Sequence, residues 1–438
     1  MKEKEFSVIK FLENNQISPS CYEDKENINT YIAEMQQGLD GSSSMSMLPT
    51  FIEEGNELPV NKPVLVLDAG GTNFRAALVS FSEEREVQIS RFRKRGMPGF
   101  KHEHSRQEFF NAIADFIYDL AADVDRIGFC FSYPMKKMSD KDGRLMGFSK
   151  EIKAEEVVGE MIGAGVIEAL AKKGIKNIRK IVLLNDTVAT LLAGKAESKS
   201  DKYDTYIGLI YGTGFNASYN EHNEKIGKVE DLPAGESQLI NMEAGSCAVM
   251  PSGDIDLLYR NTTARPDTYI FEKMVSGGYI GSLWMFILEK AAEEGCFSDS
   301  FRTALEAASE SGCTSDCNAS DLSRFLADGI FPEAIEGRAD KSDLDRAMEL
   351  SRAITARASY LAAAAITGIM LKTGKGKDKQ RPVCLCVDGT TFWKLHGLKE
   401  KLISQLDIFT AEAGVYYEIL QIENAPIIGA AVAGLTNS

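Results

Sequence analysis

The sequence predicts an α/β protein built from two related halves that face a common cleft, on three observations. The first is the run Val64-Leu-Val-Leu-Asp-Ala-Gly-Gly-Thr-Asn-Phe-Arg-Ala-Ala-Leu-Val79, two apolar stretches joined through Asp68, a glycine pair and a polar cluster. That pattern reads as strand, tight glycine turn and strand. The second is its recurrence at Tyr206-Ile-Gly-Leu-Ile-Tyr-Gly-Thr-Gly-Phe-Asn-Ala-Ser-Tyr219. The third is that long helical patterns alternate with strand-like ones, which places the repeats in layered α/β halves.

The elements follow in order. Residues 26 to 40 put Ile28, Tyr31, Ile32, Met35 and Leu39 on one face, an amphipathic helix ending in the Gly41-Ser-Ser-Ser44 loop. After the first hairpin, Val87 to Arg93 alternates as a third strand. Phe109, Phe110, Ile113, Phe116, Ile117 and Leu120 mark a helix, and Arg126 to Pro134 reads as a strand running into a loop. In the second half, Leu239 to Glu243 is strand-like, and residues 270 to 292 and 343 to 372 read as long helices. The basic stretch from Lys372 to Arg381 reads as a solvated turn before a final strand, Pro382-Val-Cys-Leu-Cys-Val-Asp-Gly-Thr390. The run Tyr360 to Leu371 is too short for a membrane span and fits a buried helix.

At 438 residues and 44% hydrophobic content the chain can bury large cores. Its 64 acidic residues outnumber 49 basic ones, a net charge of −15, and no basic block tracks a nucleic acid or an anionic membrane. Neither partner is expected, whereas a small anion remains compatible. The charged start, Met1 to Lys10, lacks the apolar core of a signal peptide, so the expected location is cytoplasmic. Of the eight cysteines, Cys130, Cys384 and Cys386 lie in strand-like runs and read as free core thiols. Cys313 and Cys317 have no second pair or nearby histidine, and zinc is not expected there.

Several residue types point to phosphate chemistry. Backbone N–H groups of a glycine turn can approach phosphate oxygens closely. Asp68, at the end of its strand, is placed to orient a hydrated Mg²⁺, and Thr72, Asn73 and Arg75 add donors. Single motifs stay ambiguous: a glycine pair between strands is commonly only a hairpin. Asn185-Asp186 before Thr187-Val-Ala-Thr-Leu-Leu-Ala-Gly194 is either a helix N-cap or a catalytic pair. Glu272 alone reads as a surface helix carboxylate.

The ordered set of motifs resembles the eukaryotic-type hexokinases, within the actin-like sugar kinase superfamily, from about residue 28 to about residue 435. Leu67-Asp-Ala-Gly-Gly-Thr-Asn-Phe-Arg75 is similar to the first phosphate motif, Gly212-Thr-Gly-Phe-Asn216 to the second, and Val387-Asp-Gly-Thr390 to the nucleoside motif. Ser46-Met-Leu-Pro-Thr-Phe51, Phe131-Ser-Tyr-Pro134, Phe148-Ser-Lys150, Leu184-Asn-Asp-Thr187, Asn241-Met-Glu243 and Phe271-Glu-Lys-Met274 resemble the remaining segments.

The resemblance implies a two-lobed actin-like (ribonuclease H-like) ATPase fold with duplicated mixed sheets and an interlobe cleft. Residues 1–58 and 186–424 would form the large lobe, and 59–185 with 425–438 the small lobe. It implies hexose binding by Ser132, Ser149, Lys150, Asn185, Asp186, Asn216, Glu243 and Glu272, whose carboxylates and carboxamides suit hydroxyls that both donate and accept. It implies nucleotide binding by Asp68, Gly70, Gly71, Thr72, Asn73, Arg75, Gly212, Thr213, Gly214, Asp388, Gly389 and Thr390. Asp186 would be the catalytic base, with Lys150 beside the transferring group. MgATP would be the co-substrate, its Mg²⁺ held through ATP and, at most, through water on Asp68. The implied reaction is 6-phosphorylation of glucose, mannose or fructose at the first step of glycolysis, by a monomer or homodimer.

Competing readings are a kinase of another sugar such as N-acetylglucosamine, a catalytically silent hexose sensor and a filament-forming ATPase. The sequence departs from the family pattern at Ala69, at Glu151-Ile152, at Ala244-Gly245 and at Asn424-Ala-Pro-Ile-Ile-Gly429. The last lies in the turn expected to cover the nucleoside with apolar surface.

Overall fold

A computed structural model of the chain describes residues 7–148, 152–198 and 202–437. Its strands are β1 (Leu48–Pro49), β2 (Val64–Gly70), β3 (Asn73–Phe81), β4 (Val87–Gly96), β5 (Arg126–Phe131), β6 (Met135–Lys137) and β7 (Gly143–Leu145). They continue as β8 (Lys180–Leu184), β9 (Thr205–Tyr211), β10 (Phe215–His222), β11 (Ser237–Asn241), β12 (Val383–Asp388) and β13 (Tyr417–Leu420). One sheet has the order β4-β3-β2-β5-β8 and the other β1-β11-β10-β9-β12-β13, with β6 and β7 forming a separate ribbon.

The two sheets repeat one plan. In each, a central strand (β2 or β9) turns back antiparallel into β3 or β10, and the next strand (β4 or β11) is again antiparallel. On its other side the central strand pairs parallel with β5 or β12, which pairs parallel with β8 or β13. The nearly all-buried patterns of β2 and β9 are what strands covered on both faces require.

Three apolar layers follow. Helices Arg106–Ala121 and Ile162–Lys172 cover one face of the first sheet, with Phe109, Phe110, Ile113, Val166 and Leu170 in the core. Helices Asp24–Leu39 and Lys341–Thr373 cover the outer side of the second sheet. Between the sheets lie the helix Asp186–Glu197 and the C-terminal helix Ala425–Thr436, packed on each other in a core that includes Val64, Val182, Leu239 and Cys384. Small residues allow this close approach: a Cβ at Gly429 would stand 1.9 Å from the Ala189 carbonyl oxygen, and one at Gly128 1.8 Å from that of Ala430.

Cys130, Cys384 and Cys386 are buried free thiols. Among the described residues no group of three or more His, Cys, Asp or Glu side chains is placed to hold a metal ion. The apolar half of Lys341–Thr373 is buried, so a helix long and apolar enough to cross a membrane serves here as a core element.

Three sequence expectations are corrected. The helix expected over 270–292 is two helices, Ile270–Val275 and Ile280–Glu293, because the Gly277-Gly278 pair breaks it. The basic stretch is solvated at Lys375, Lys377, Lys379 and Arg381 and departs from expectation only at its start, where Lys372 is half-buried and lies 3.7 Å from Glu221. The departing C-terminal turn offers little apolar surface, since Ala425, Ile427 and Ile428 are buried in the layer between the sheets.

Candidate active site

The duplicated plan places the chemistry at equivalent ends of the two sheets. Asp68 lies two residues before the end of β2, which runs into the turn Gly70-Gly71-Thr72, and Gly71 takes φ +66°, the left-handed region. The turn is held from outside its own hairpin: Met97 N–H donates to the Thr72 carbonyl (2.9 Å) and Ser132 N–H to that of Ala69 (3.0 Å). Asn73 pairs with Gly70 across the turn. Arg75 Nη1 donates to the Asp68 carboxylate at 3.2 Å. Burial raises Asp68 above the ordinary carboxylate range, Arg75 opposes the rise, and Asp388 adds to it.

At the second sheet, Gly212-Thr213-Gly214 joins β9 to β10. Gly277 and Gly278 donate to the Gly212 and Thr213 carbonyls, both at 2.9 Å, and Thr391 Oγ1 donates to Gly212 at 2.8 Å. Residues 277, 278 and 391 were missed at the sequence level, although the glycine pair inside a helical pattern was a visible signal. Asp388 ends β12, the parallel neighbour of β9, and accepts the Gly389 N–H at 2.7 Å. Gly389 has φ +119°, and a Cβ there would meet the Tyr211 backbone at 2.4 Å. Thr390 opens the short helix Thr390–Lys394.

Asn185 and Asp186 stand where β8 passes into the helix between the sheets. Asn185 is the N-cap, its Oδ1 accepting from Thr187 N–H (2.8 Å) and Oγ1 (2.7 Å). Asp186 Oδ1 accepts the Thr187 N–H at 2.9 Å. The cap reading holds for Asn185, whose carboxamide caps the helix, while the Asp186 carboxylate lies near other acids. Burial first, then Glu243, pushes Asp186 up to about 6, with Asp68 and Asp388 adding to the rise.

The expected hexose residues of the second sheet converge. Glu243 follows β11 at φ +56°, and its Oε1 accepts from Asn241 Nδ2 at 2.7 Å. Asn241 Oδ1 in turn accepts from Asn216 Nδ2 at 2.9 Å, and Asn216 Oδ1 accepts the Ala244 N–H at 3.1 Å. This relay fixes the carboxylate. Glu272 is no surface carboxylate: its Oε2 accepts the Phe215 N–H at 3.0 Å. Burial pushes Glu272 up to about 7, against the Phe215 bond, and Glu243 adds to the rise. Burial also raises Glu243 itself. Ser132 enters from the other sheet, beside the first glycine turn. Ser149 and Lys150 lie outside the described residues.

The site thus sets one buried and several half-buried carboxylates, mutually repelling, between two glycine turns from duplicated sheets. This is the layout of a two-lobed, actin-like sugar kinase fold. Two family models, both described as hexokinase, match residues 14–196 and 206–436, and the chain belongs to the hexokinase family. It is 28% identical to Hexokinase-7 of Oryza sativa subsp. japonica over 92% of this chain and 91% of that one. Identity to Hexokinase-2 of the same plant is 30% over 81% of this chain and 76% of that one. Hexokinase-1 of Schizosaccharomyces pombe is 32% identical over 58% of this chain and 54% of its own length. Among solved structures, the Schistosoma mansoni hexokinase complexed with glucose shares the fold, with a TM-score of 0.71, 23% identity and coverage of 98% of this chain and 99% of that one.

Proposed function

We propose that the protein transfers the γ-phosphoryl group of ATP to the 6-hydroxyl of a hexose, with glucose, mannose and fructose as the expected acceptors. The observation that carries this reading is Asp186, pushed up to about 6 and set among Glu243, Asp68 and Asp388. A base poised near neutral pH can take a proton late in the transfer. Thr187 occupies Oδ1, which leaves Oδ2 for the sugar hydroxyl. As the oxygen bonds to phosphorus, its proton passes to Asp186, the bond to the bridging oxygen breaks, and ADP leaves.

The other residues bind and orient. Ser132, Asn185, Asn216, Glu243 and Glu272 match the alternating donors and acceptors of a hexose, and the Asn216–Asn241–Glu243 relay prevents the carboxylate from swinging away. Lys150 is assigned beside the transferring group by resemblance. The glycine turns present backbone N–H groups to the phosphates from both sides. Asp68 and Asp388, carboxylates near two strand ends, suit a hydrated Mg²⁺ better than a direct cage, as that ion prefers. When bound, Mg²⁺ supplies charge neutralisation on the phosphates. We also propose that residues 1–58 with 186–424, and 59–185 with 425–438, move as the two lobes and exclude water on closure, so that the sugar is the only acceptor.

An ADP-release assay with MgATP over a hexose panel, with product phosphate positions identified, tests the proposal. Hexose-dependent release yielding 6-phosphates is expected. Release without any sugar supports an ATPase instead, and sugar binding without release supports a sensor.

A further inference from the structure

The segment Phe131-Ser-Tyr-Pro134 holds one residue whose chemistry neither substrate uses directly. Tyr133 is 4% exposed, and its hydroxyl donates to the carbonyl of Gly71, the left-handed glycine of the first turn. Its ring meets Phe148 edge to face, centroids 5.3 Å apart at 82°, and Phe131 at 4.9 Å. Phe148 immediately precedes Ser149 and Lys150. One side chain therefore touches both the phosphate turn and the segment that leads to the sugar residues. Burial raises the phenol well above its ordinary range, so it stays a neutral donor at any working pH.

We propose that Tyr133 is a positioning residue for the nucleotide: its hydroxyl fixes the Gly71 carbonyl, and with it the direction of the turn's N–H groups. This rests on the reading that the turn takes phosphate. The left-handed conformation at Gly71 is accessible to glycine along with many alternatives, so a bond to its carbonyl removes freedom that would otherwise be lost on binding. The neighbouring Ser132 N–H bond to the Ala69 carbonyl holds the other side of the same turn.

Tyr133→Phe removes the hydroxyl and keeps the ring. The expected result is a roughly 2- to 10-fold rise in Kd for MgADP and in KM for MgATP, the range for one net hydrogen bond, with kcat and hexose affinity within about twofold. A folded variant with unchanged MgADP affinity overturns the proposal. Phe148→Leu, which leaves the hydroxyl in place, is the second variant and is expected to keep MgADP affinity within about twofold. Equal weakening of MgADP by both variants reduces Tyr133 to packing and also overturns it. MgADP binding is read by calorimetry without turnover. A protein that shows the Tyr133 effect but phosphorylates no hexose refutes the kinase reading and leaves the positioning role standing.

Discussion

The two glycine turns occupy equivalent places in equivalent sheets, yet they are built differently. The first draws its carboxylate, Asp68, from its own strand, and its braces, Met97, Ser132 and Tyr133, from the same sheet's strands and loops. The second is assembled from afar. Its carboxylate, Asp388, comes from the parallel neighbour β12, and its braces come from residues 277, 278 and 391. Duplication preserved the backbone plan and left each half free to recruit different chemistry. Asp186 sits between them and feels both acids.

The largest expected effect tests that shared centre. Asp186→Asn should retain hexose binding and lose about 10²- to 10⁴-fold in turnover, the usual range for a general base. In the unaltered enzyme the base must be ionised, so kcat/KM should fall as pH drops through about 6. A profile flat from pH 5 to 8, or an Asn variant of equal turnover, removes Asp186 from the role.

The next comparison sets one glycine from each turn region against the other. At Gly389, φ is +119° and a Cβ meets backbone at 2.4 Å, so Gly389→Ala should destabilise the fold by more than about 2 kcal/mol in chemical denaturation. A Cβ at Gly70 finds its nearest neighbour at 3.9 Å, from Asp68 Oδ1. Gly70→Ala should fold with stability within about 1 kcal/mol of the parent. Its added methyl should raise KM for MgATP about tenfold or more, by holding phosphate off the backbone. Equal stability losses would erase the distinction between the two turn regions.

Glu272 connects the sugar side to the second turn through the Phe215 N–H, and burial holds it protonated up to about 7. A group raised in the folded state contributes stability below its ordinary value and loses that contribution as pH rises through the folded one. The ligand-free protein should therefore lose stability between about pH 5 and 8, on the order of 1–3 kcal/mol from this residue. Glu272→Gln should flatten that slope in thermal melts while weakening hexose binding. A slope identical in the variant would assign the effect elsewhere.

Legibility from the sequence followed the range of the interactions. Both strand–turn–strand units were visible because period and glycine placement are local signals. Asn185-Asp186 was ambiguous between cap and catalytic pair, and the structure assigns the cap to Asn185 and sets Asp186 near Glu243, a proximity no local pattern encodes. Glu272 read alone as surface because its burial depends on the Phe215 backbone, 57 residues away in sequence. The turn from Asn424 was misread for the same reason: its neighbours are Ala189 and strands of both sheets, and no local pattern specifies them. Tyr133 and Thr391 brace turns far from them along the chain, a role that residue type alone does not mark.

The smallest effect is the most discriminating for the comparison. Thr391→Val removes one donor from the Gly212 carbonyl, which still accepts from Gly277 at 2.9 Å. The expected cost in MgADP affinity is about 2- to 4-fold, the low end for a single hydrogen bond. Tyr133→Phe acts on the other turn, in the other sheet. If each turn is braced separately, as their different builds imply, the two losses should add in the double variant, with a coupling energy within about 0.5 kcal/mol of zero. The double-mutant cycle is measured by calorimetry with MgADP at saturating hexose. A coupling above about 1 kcal/mol would mean that the turns respond as one unit, so that the phosphates join two sheets whose own bonds do not.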